Sequence, residues 1–273
     1  MSADVEMTFL EHLEELRSRI LYCLYTVVPA ICISFYFADR MMKLLTDHAR
    51  TIPGLTNPIP WKFAFSPVVG PIFIYDQKGA ETILVGLSPT EVVVAYMKVA
   101  LVAALFFDLP FIMYQLWKFV EPGLKATEKK FLVPFILSSW FSFVIGGLFA
   151  YTVMMRIAVP FLAGFGQGVV TNAWSLAGYI NFTLTMILVF GIVFELPVII
   201  ALLSLLGLVT PTFLRKYRRH AILAIFIIAA VLTPPDPVTQ TLLAVPLMIL
   251  YEISILVSRF TYRKTETALV KTG

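Results

Sequence analysis

The chain has 273 residues, of which 59% are hydrophobic and only 14% charged, with a mean hydropathy of +0.86. So little polar surface cannot cover a water-soluble globule, which excludes a soluble enzyme and requires lipid to face much of the fold. The net charge of +4 is small and unevenly placed, a pattern that orients a membrane protein and gives no reason to expect nucleic-acid binding.

The first informative stretch is Thr8-Phe-Leu-Glu-His-Leu-Glu-Glu-Leu-Arg-Ser-Arg19. Thr8 and Glu11 fit a capping box, so a helix is expected to begin there. Leu10, Leu13, Leu16 and Ile20 recur at helical spacing and form one apolar stripe. Glu11 and Glu15 stand one turn apart beside that stripe. Glu11 reads as a cap; Glu15 either pairs with Arg19 at i,i+4 or serves another partner. Acidic Glu6, Glu11, Glu14 and Glu15 do not read as the start of a cleavable signal.

Apolar runs long enough to cross about 30 Å of hydrocarbon follow. They fall at 20–38, 92–116, 131–155, 176–206, 217–232 and 239–257. The expected fold is therefore all-α and polytopic, with six transmembrane helices in one domain over 1–273. Residues 1–19 are expected to form an amphipathic helix on the cytoplasmic side. Lys and Arg number 14 in the N-terminal segment, the 117–130 and 207–219 loops and the C-terminal tail. The opposite segments, 39–91, 156–175 and 233–238, hold six. That excess places both termini in the cytoplasm. The last two spans look short, and 13 residues from His220 to Leu232 cover only roughly 20 Å. Either the helix continues through polar residues or the bilayer thins there.

Cys23 and Cys32 lie nine residues apart on one predicted helix, on opposite faces about 13 Å apart, and cannot bridge. Prolines 29, 110, 134, 160, 197 and 246 sit inside or near the edges of spans and are expected to bend several of them. The long outer segment 39–91 is turn-rich around 52–58, with short ordered pieces possible at 63–75 and 82–87. In the 117–130 loop, Trp117 and Phe119 fit interface anchors, and Glu128 has Lys129 and Lys130 beside it to neutralise. Phe107-Asp-Leu-Pro110 and Phe194-Glu-Leu-Pro197 echo one another, but four residues do not establish a duplication.

No phosphate-binding loop, His-x-x-x-His pair or Gly-x-Ser-x-Gly elbow occurs, so neither enzymatic chemistry nor a metal or other cofactor is expected. Lys98, Asp108, Glu195 and Glu252 lie within or near apolar runs, where ionisable groups default to functional hypotheses. Taken alone, these four favour a proton-coupled small-solute transporter.

Five stretches in order resemble the TatC family, the core receptors of the twin-arginine protein translocase. The first is Phe9-Leu-Glu-His12-Leu13-Glu-Glu15-Leu16-Arg17-Ser-Arg19. The others are Leu87-Ser-Pro-Thr-Glu-Val92, Tyr114-Gln-Leu-Trp-Lys-Phe119 running on to Glu128, Phe194-Glu-Leu-Pro197, and Leu232-Thr-Pro-Pro-Asp236 with the Gln240 segment after it. The resemblance implies a non-enzymatic receptor in the bacterial cytoplasmic membrane. Its expected partners are twin-arginine signal peptides of folded cargo, single-span TatA- and TatB-type proteins, membrane lipid and further copies of itself, with the proton-motive force driving export. It implies that Glu15 and Glu128 serve the arginine pair. Phe119, Leu16 and Arg17 are expected in the same site, and Asp236 and Glu195 occupy other family motif positions. One departure stands out: Gln167 occupies a position where many relatives carry glutamate, and an amide cannot titrate. The family's proline near the start of the first outer loop has no clear match around 47–50. The alternative function remains a small-solute transporter, which predicts a mid-plane site and an internal repeat. A purely structural scaffold would leave the cytoplasmic glutamates replaceable.

Overall fold

The computed structural model describes residues 9–51, 61–66, 70–75, 84, 87–120, 132–164, 174–232 and 237–270. The first helix, α1 (Phe9–Tyr36), runs unbroken through 28 residues. The expected amphipathic segment and the first span are thus one helix, with no joint near residue 19; Thr8, its predicted cap, lies outside the described residues. Glu11 in the first turn complements the helix dipole. The chain turns at Phe37, whose N–H returns to the Ser34 carbonyl at 3.1 Å, and α2 (Ala38–Thr51) begins at once.

α2 is amphipathic, and it buries Ala38, Met42 and Leu45 at i, i+4 and i+7. Three tyrosines from other elements hold it down. Tyr96 hydroxyl donates to Asp39 at 3.2 Å, Tyr151 hydroxyl to the Leu44 carbonyl at 3.0 Å, and Tyr179 hydroxyl to the Leu45 carbonyl at 3.4 Å. On the open face Lys43 pairs with Asp39 at 2.8 Å, and that bond holds the Asp39 carboxyl below the usual range. A β-hairpin follows, β1 (Trp61–Ser66) against β2 (Gly70–Tyr75), antiparallel with Phe63 opposite Phe73. Among the described residues it is the departure from an all-α chain, and it occupies the segment in which ordered pieces were expected.

The 32-residue α3 (Pro89–Val120) spans about 48 Å. Its start is capped twice: Ser88 hydroxyl accepts from Glu91 N–H at 3.2 Å, and Glu91 Oε2 accepts from Leu87 N–H at 2.9 Å. The second carboxylate oxygen reaches another helix. Glu91 Oε1 accepts from Ala177 N–H at 3.0 Å, in the first turn of α6 (Leu176–Phe194), so one side chain joins the starts of two parallel helices.

Between them, α4 (Leu132–Phe149) passes through a π turn, Ala150–Met154, into α5 (Met155–Gly164). α4 and α6 approach closely at glycines. A Cβ at Gly146 would stand 2.5 Å from the Phe190 carbonyl oxygen, and one at Gly191 would stand 2.8 Å from the Phe143 ring. The apolar run expected as one span from 176 is one membrane-capable stretch, Leu176–Leu205, with a single turn residue at Glu195 before α7 (Leu196–Leu205), which has Pro197 in its first turn. Pro110 removes the N–H that would serve the Phe106 carbonyl, and Trp140 Nε1 of α4 donates to that oxygen at 3.3 Å. At the α6–α7 break Ser142, also of α4, donates to the Phe194 carbonyl at 2.6 Å.

α7 ends in a Schellman turn on Gly207 (φ +72°), with Leu208 N–H returning to the Leu203 carbonyl at 2.9 Å. α8 (Pro211–Lys216) is capped by Thr210 and leads through Tyr217 to α9 (Arg218–Leu232), whose 15 residues cover about 22 Å. The final helix is longer than expected, with α10 (Pro237–Val270) running for 34 residues. A buried Ser204–Ser258 hydroxyl pair at 2.7 Å joins it to α7, and Gln240 Nε2 donating to the Phe226 carbonyl at 3.0 Å joins it to α9.

Among the described residues, five helical stretches are long and apolar enough to cross a membrane: Leu13–Tyr36, Thr90–Phe119, Val133–Leu162, Leu176–Leu205 and Thr239–Tyr262. α9, with 15 residues, falls short of that length. The main core lies between α3, α6, the π turn and α10, around Val99, Tyr179, Ile180, Phe190 and Leu247. α1 contributes least, since 6% of its apolar window is buried against 28–39% in the other four. Cys23 and Cys32 are both free.

Candidate functional site

α1 and α3 lie antiparallel, pinned at two levels. Thr26 hydroxyl donates to Asp108 Oδ2 at 2.9 Å, and Arg19 Nη1 donates to Gln115 Oε1 at 3.3 Å. The pins are seven residues apart on each helix, so the register is continuous. Four residues further on, it sets Glu15 level with Phe119. Two residues expected in one site therefore stand at one height, at the end of α1 that carries Leu16 and Arg17.

Within that site Arg19 Nη2 donates to Glu15 Oε1 at 2.8 Å, so the i,i+4 pairing open in the sequence is formed. The ion pair is sheltered but not sealed, with 17% of the Glu15 side chain and 25% of the Arg19 side chain exposed. Leu16 and Phe119 are half-buried and Arg17 is exposed. Gln115, which sequence reasoning missed, is buried at 6% and holds its amide oxygen toward Arg19. Trp117 corrects an expectation: at 1% exposure it is packed inside the protein against Phe135, with ring centroids 5.0 Å apart, and has no open face to anchor on lipid. Lys118 lies over the Tyr114 ring at 5.4 Å. Glu128, Gln167 and Asp236 lie outside the described residues.

The four ionisable residues near the spans do not converge. Asp108 is satisfied by Thr26 of α1, Lys98 donates to Asn181 at 2.7 Å, and Glu252 pairs with Arg218 at 2.8 Å between α10 and α9. Glu195 is buried at 6% at the α6–α7 break, beside Ser139 of α4. Neither of its carboxyl oxygens nor the Ser139 hydroxyl makes a hydrogen bond to any described residue. Glu91 is another polar group that was missed. Its signal was present, because Ser88-Pro-Thr-Glu91 has capping-box spacing.

The family model for TatC, Sec-independent protein translocase protein, matches residues 11–246. The chain belongs to the TatC family. TatC from Halothiobacillus neapolitanus is 37% identical over 256 residues, which cover 93% of this chain and 63% of that protein's length. TatC from Desulforapulum autotrophicum is 35% identical over 268 residues, covering 98% of this chain and 90% of that protein. Among solved structures, the crystal structure of the twin-arginine translocase receptor TatC superposes with a TM-score of 0.75 at 33% identity, covering 92% of this chain and 99% of that one. The small-solute transporter finds no support in these matches, and Lys98, Asp108 and Glu252 each bond to a neighbouring helix instead of meeting at one site.

Proposed function

We propose that the chain is the signal-peptide receptor of a twin-arginine translocase, binding paired arginines through Glu15 with help from Glu128 and Phe119. The observation that carries this reading is the Glu15 carboxylate, half-sheltered, level with Phe119 and already engaged with a guanidinium at 2.8 Å. Arginine offers a rigid five-donor fork that meets carboxylates bidentately, whereas lysine is a point charge. Each charge-assisted bond contributes about 1.5–3 kcal/mol, and arginine can make two such parallel bonds to one carboxylate where lysine presents a point charge, which favours arginine at each glutamate. Leu16 and Arg17 border the same surface.

The protein then acts without chemistry of its own or a cofactor, as a multi-pass receptor of the bacterial cytoplasmic membrane. It has six spans, α9 being the short one, and both termini face the cytoplasm. Single-span TatA- and TatB-type proteins, lipid and further copies of the chain are its partners, and folded cargo crosses at the expense of the proton-motive force.

The deciding experiment is binding of a labelled twin-arginine peptide to membranes containing the chain. Arg-Arg is compared with Lys-Lys, and the native protein with Glu15→Gln and Glu128→Gln. Binding that needs both arginines and both carboxylates is expected. Equal binding of the Lys-Lys peptide, or indifference to both substitutions, would overturn the site.

A further inference from the structure

We infer that Arg19 is a specificity-determining residue of this site: it occupies Glu15 at rest, and Gln115 receives it when an incoming arginine takes the carboxylate. The inference rests on the reading of Glu15 as a ligand for the arginine pair. Arg19 already performs, within the chain, the contact that a signal-peptide arginine would make. Its Nη2 lies 2.8 Å from Glu15 Oε1 and its Nη1 lies 3.3 Å from Gln115 Oε1, so one guanidinium is shared between a carboxylate on α1 and an amide on α3.

Arg19 holds Glu15 incompletely. Arg19 gives the carboxylate one of its N–H groups, Nη2, and its Nε is buried without a hydrogen-bond partner among the described residues. Both residues leave the same helix one turn apart, which restricts how squarely fork and carboxylate can meet. An arginine arriving on another chain is free of that restriction and can present two parallel N–H groups. It therefore replaces Arg19 with a better bond. Lysine brings a more strongly hydrated point charge and no fork, so displacing a resident guanidinium yields it no advantage.

Gln115 makes the exchange reversible. It is buried at 6% and sits on the long α3, so its amide is a fixed acceptor already in contact with Arg19. When Arg19 gives up Glu15 it keeps that acceptor, and its side chain is already one-quarter exposed. The resting ion pair is thus a threshold that arginine passes and lysine does not, and the displaced cation has a prepared place.

The test is peptide affinity in membranes for native protein, Arg19→Gln, Gln115→Leu, the double variant and Glu15→Gln, each with Arg-Arg and Lys-Lys peptides. Thermal unfolding checks that each variant is folded. Arg19→Gln is expected to tighten Arg-Arg binding about threefold and Lys-Lys binding about tenfold or more, narrowing the preference. Gln115→Leu is expected to weaken Arg-Arg binding about threefold in the native background and to have no effect beside Arg19→Gln. Weaker Arg-Arg binding in Arg19→Gln, with binding still dependent on Glu15, would show that Arg19 merely positions the carboxylate. That overturns the inference and leaves the receptor site standing. A Gln115→Leu effect that persists without Arg19 overturns the hand-off. Indifference to Glu15→Gln overturns the site on which both rest.

Discussion

At the scale of single residues, the polar groups inside this membrane fold differ in how well they are satisfied, and that difference sets their expected responses to substitution. Asp108 is buried at 9% and takes a hydroxyl hydrogen bond from Thr26. Thr26→Val keeps the shape and removes the donor, so a loss of about 1–3 kcal/mol is expected, read as a lower unfolding temperature in detergent. Glu195 is the opposite case. A buried carboxylate with only a serine beside it is costly, and a neutral amide of the same size costs less to bury. Glu195→Gln is therefore expected to match or exceed native stability; a clear fall would mean that a carboxyl group is required there. For Gln167, we propose a role by hydrogen bonding, since an amide cannot titrate. Gln167→Ala should impair cargo export more than Gln167→Glu, and equal losses would dispose of that idea.

Helices are where the sequence was easiest to read and where its silence was most specific. Long apolar runs mark spans because each must satisfy its backbone internally across the hydrocarbon, so the α9 run at 217–232 matched within a residue. Pro197 marked a disturbance, and α6 does stop just before it. The i,i+4 spacing of Glu15 and Arg19 was visible because both lie on one helix. Gln115 and Thr26 were not visible, since their partners depend on how α3 lies against α1, which no local pattern encodes. Trp117 was misread for the same reason: an aromatic near the end of an apolar run looks like an interface anchor until a neighbouring helix covers it. The packing of α4 on α6 yields a prediction of this scale. Gly146→Ala places a methyl group against the Phe190 carbonyl, backbone that cannot rotate away. A loss of about 1–3 kcal/mol is expected, with less folded protein recovered from membranes; alanine at Gly178 should cost less, because its Cβ would meet the Ser175 side-chain oxygen at 2.9 Å and not backbone.

Across the whole molecule, the helices differ widely in how firmly they are held. α10 buries 39% of its apolar window and is tied to α7, α8 and α9 by side-chain bonds, whereas α1 buries 6%. Hydrogen exchange is accordingly expected to be fastest in α1 among the long helices, and slower again when a bound peptide adds contacts at Glu15. The short α9 also acquires a physical reading. Helical hydrogen bonding carries through Tyr217, from its N–H to the Phe213 carbonyl at 3.1 Å and from Ala221 N–H to its own carbonyl at 3.0 Å. That favours a chain continuing through polar residues over one that depends on a thinned bilayer.

The double duty of Glu91 has a consequence of another kind. By accepting from Leu87 and Ala177 together, it gives α3 and α6 a common origin for depth. Every side chain on those two helices is then measured from one benchmark, and the Lys98–Asn181 pair stays aligned as long as that benchmark holds. In a thicker or thinner bilayer the two helices cannot slide past each other; they tilt or sink as one plank, and the mismatch is absorbed at their far ends. Those ends are the tips of α3 and of α7 beyond the break. The protein thus concentrates its sensitivity to membrane thickness on the side where Glu15 and Phe119 stand.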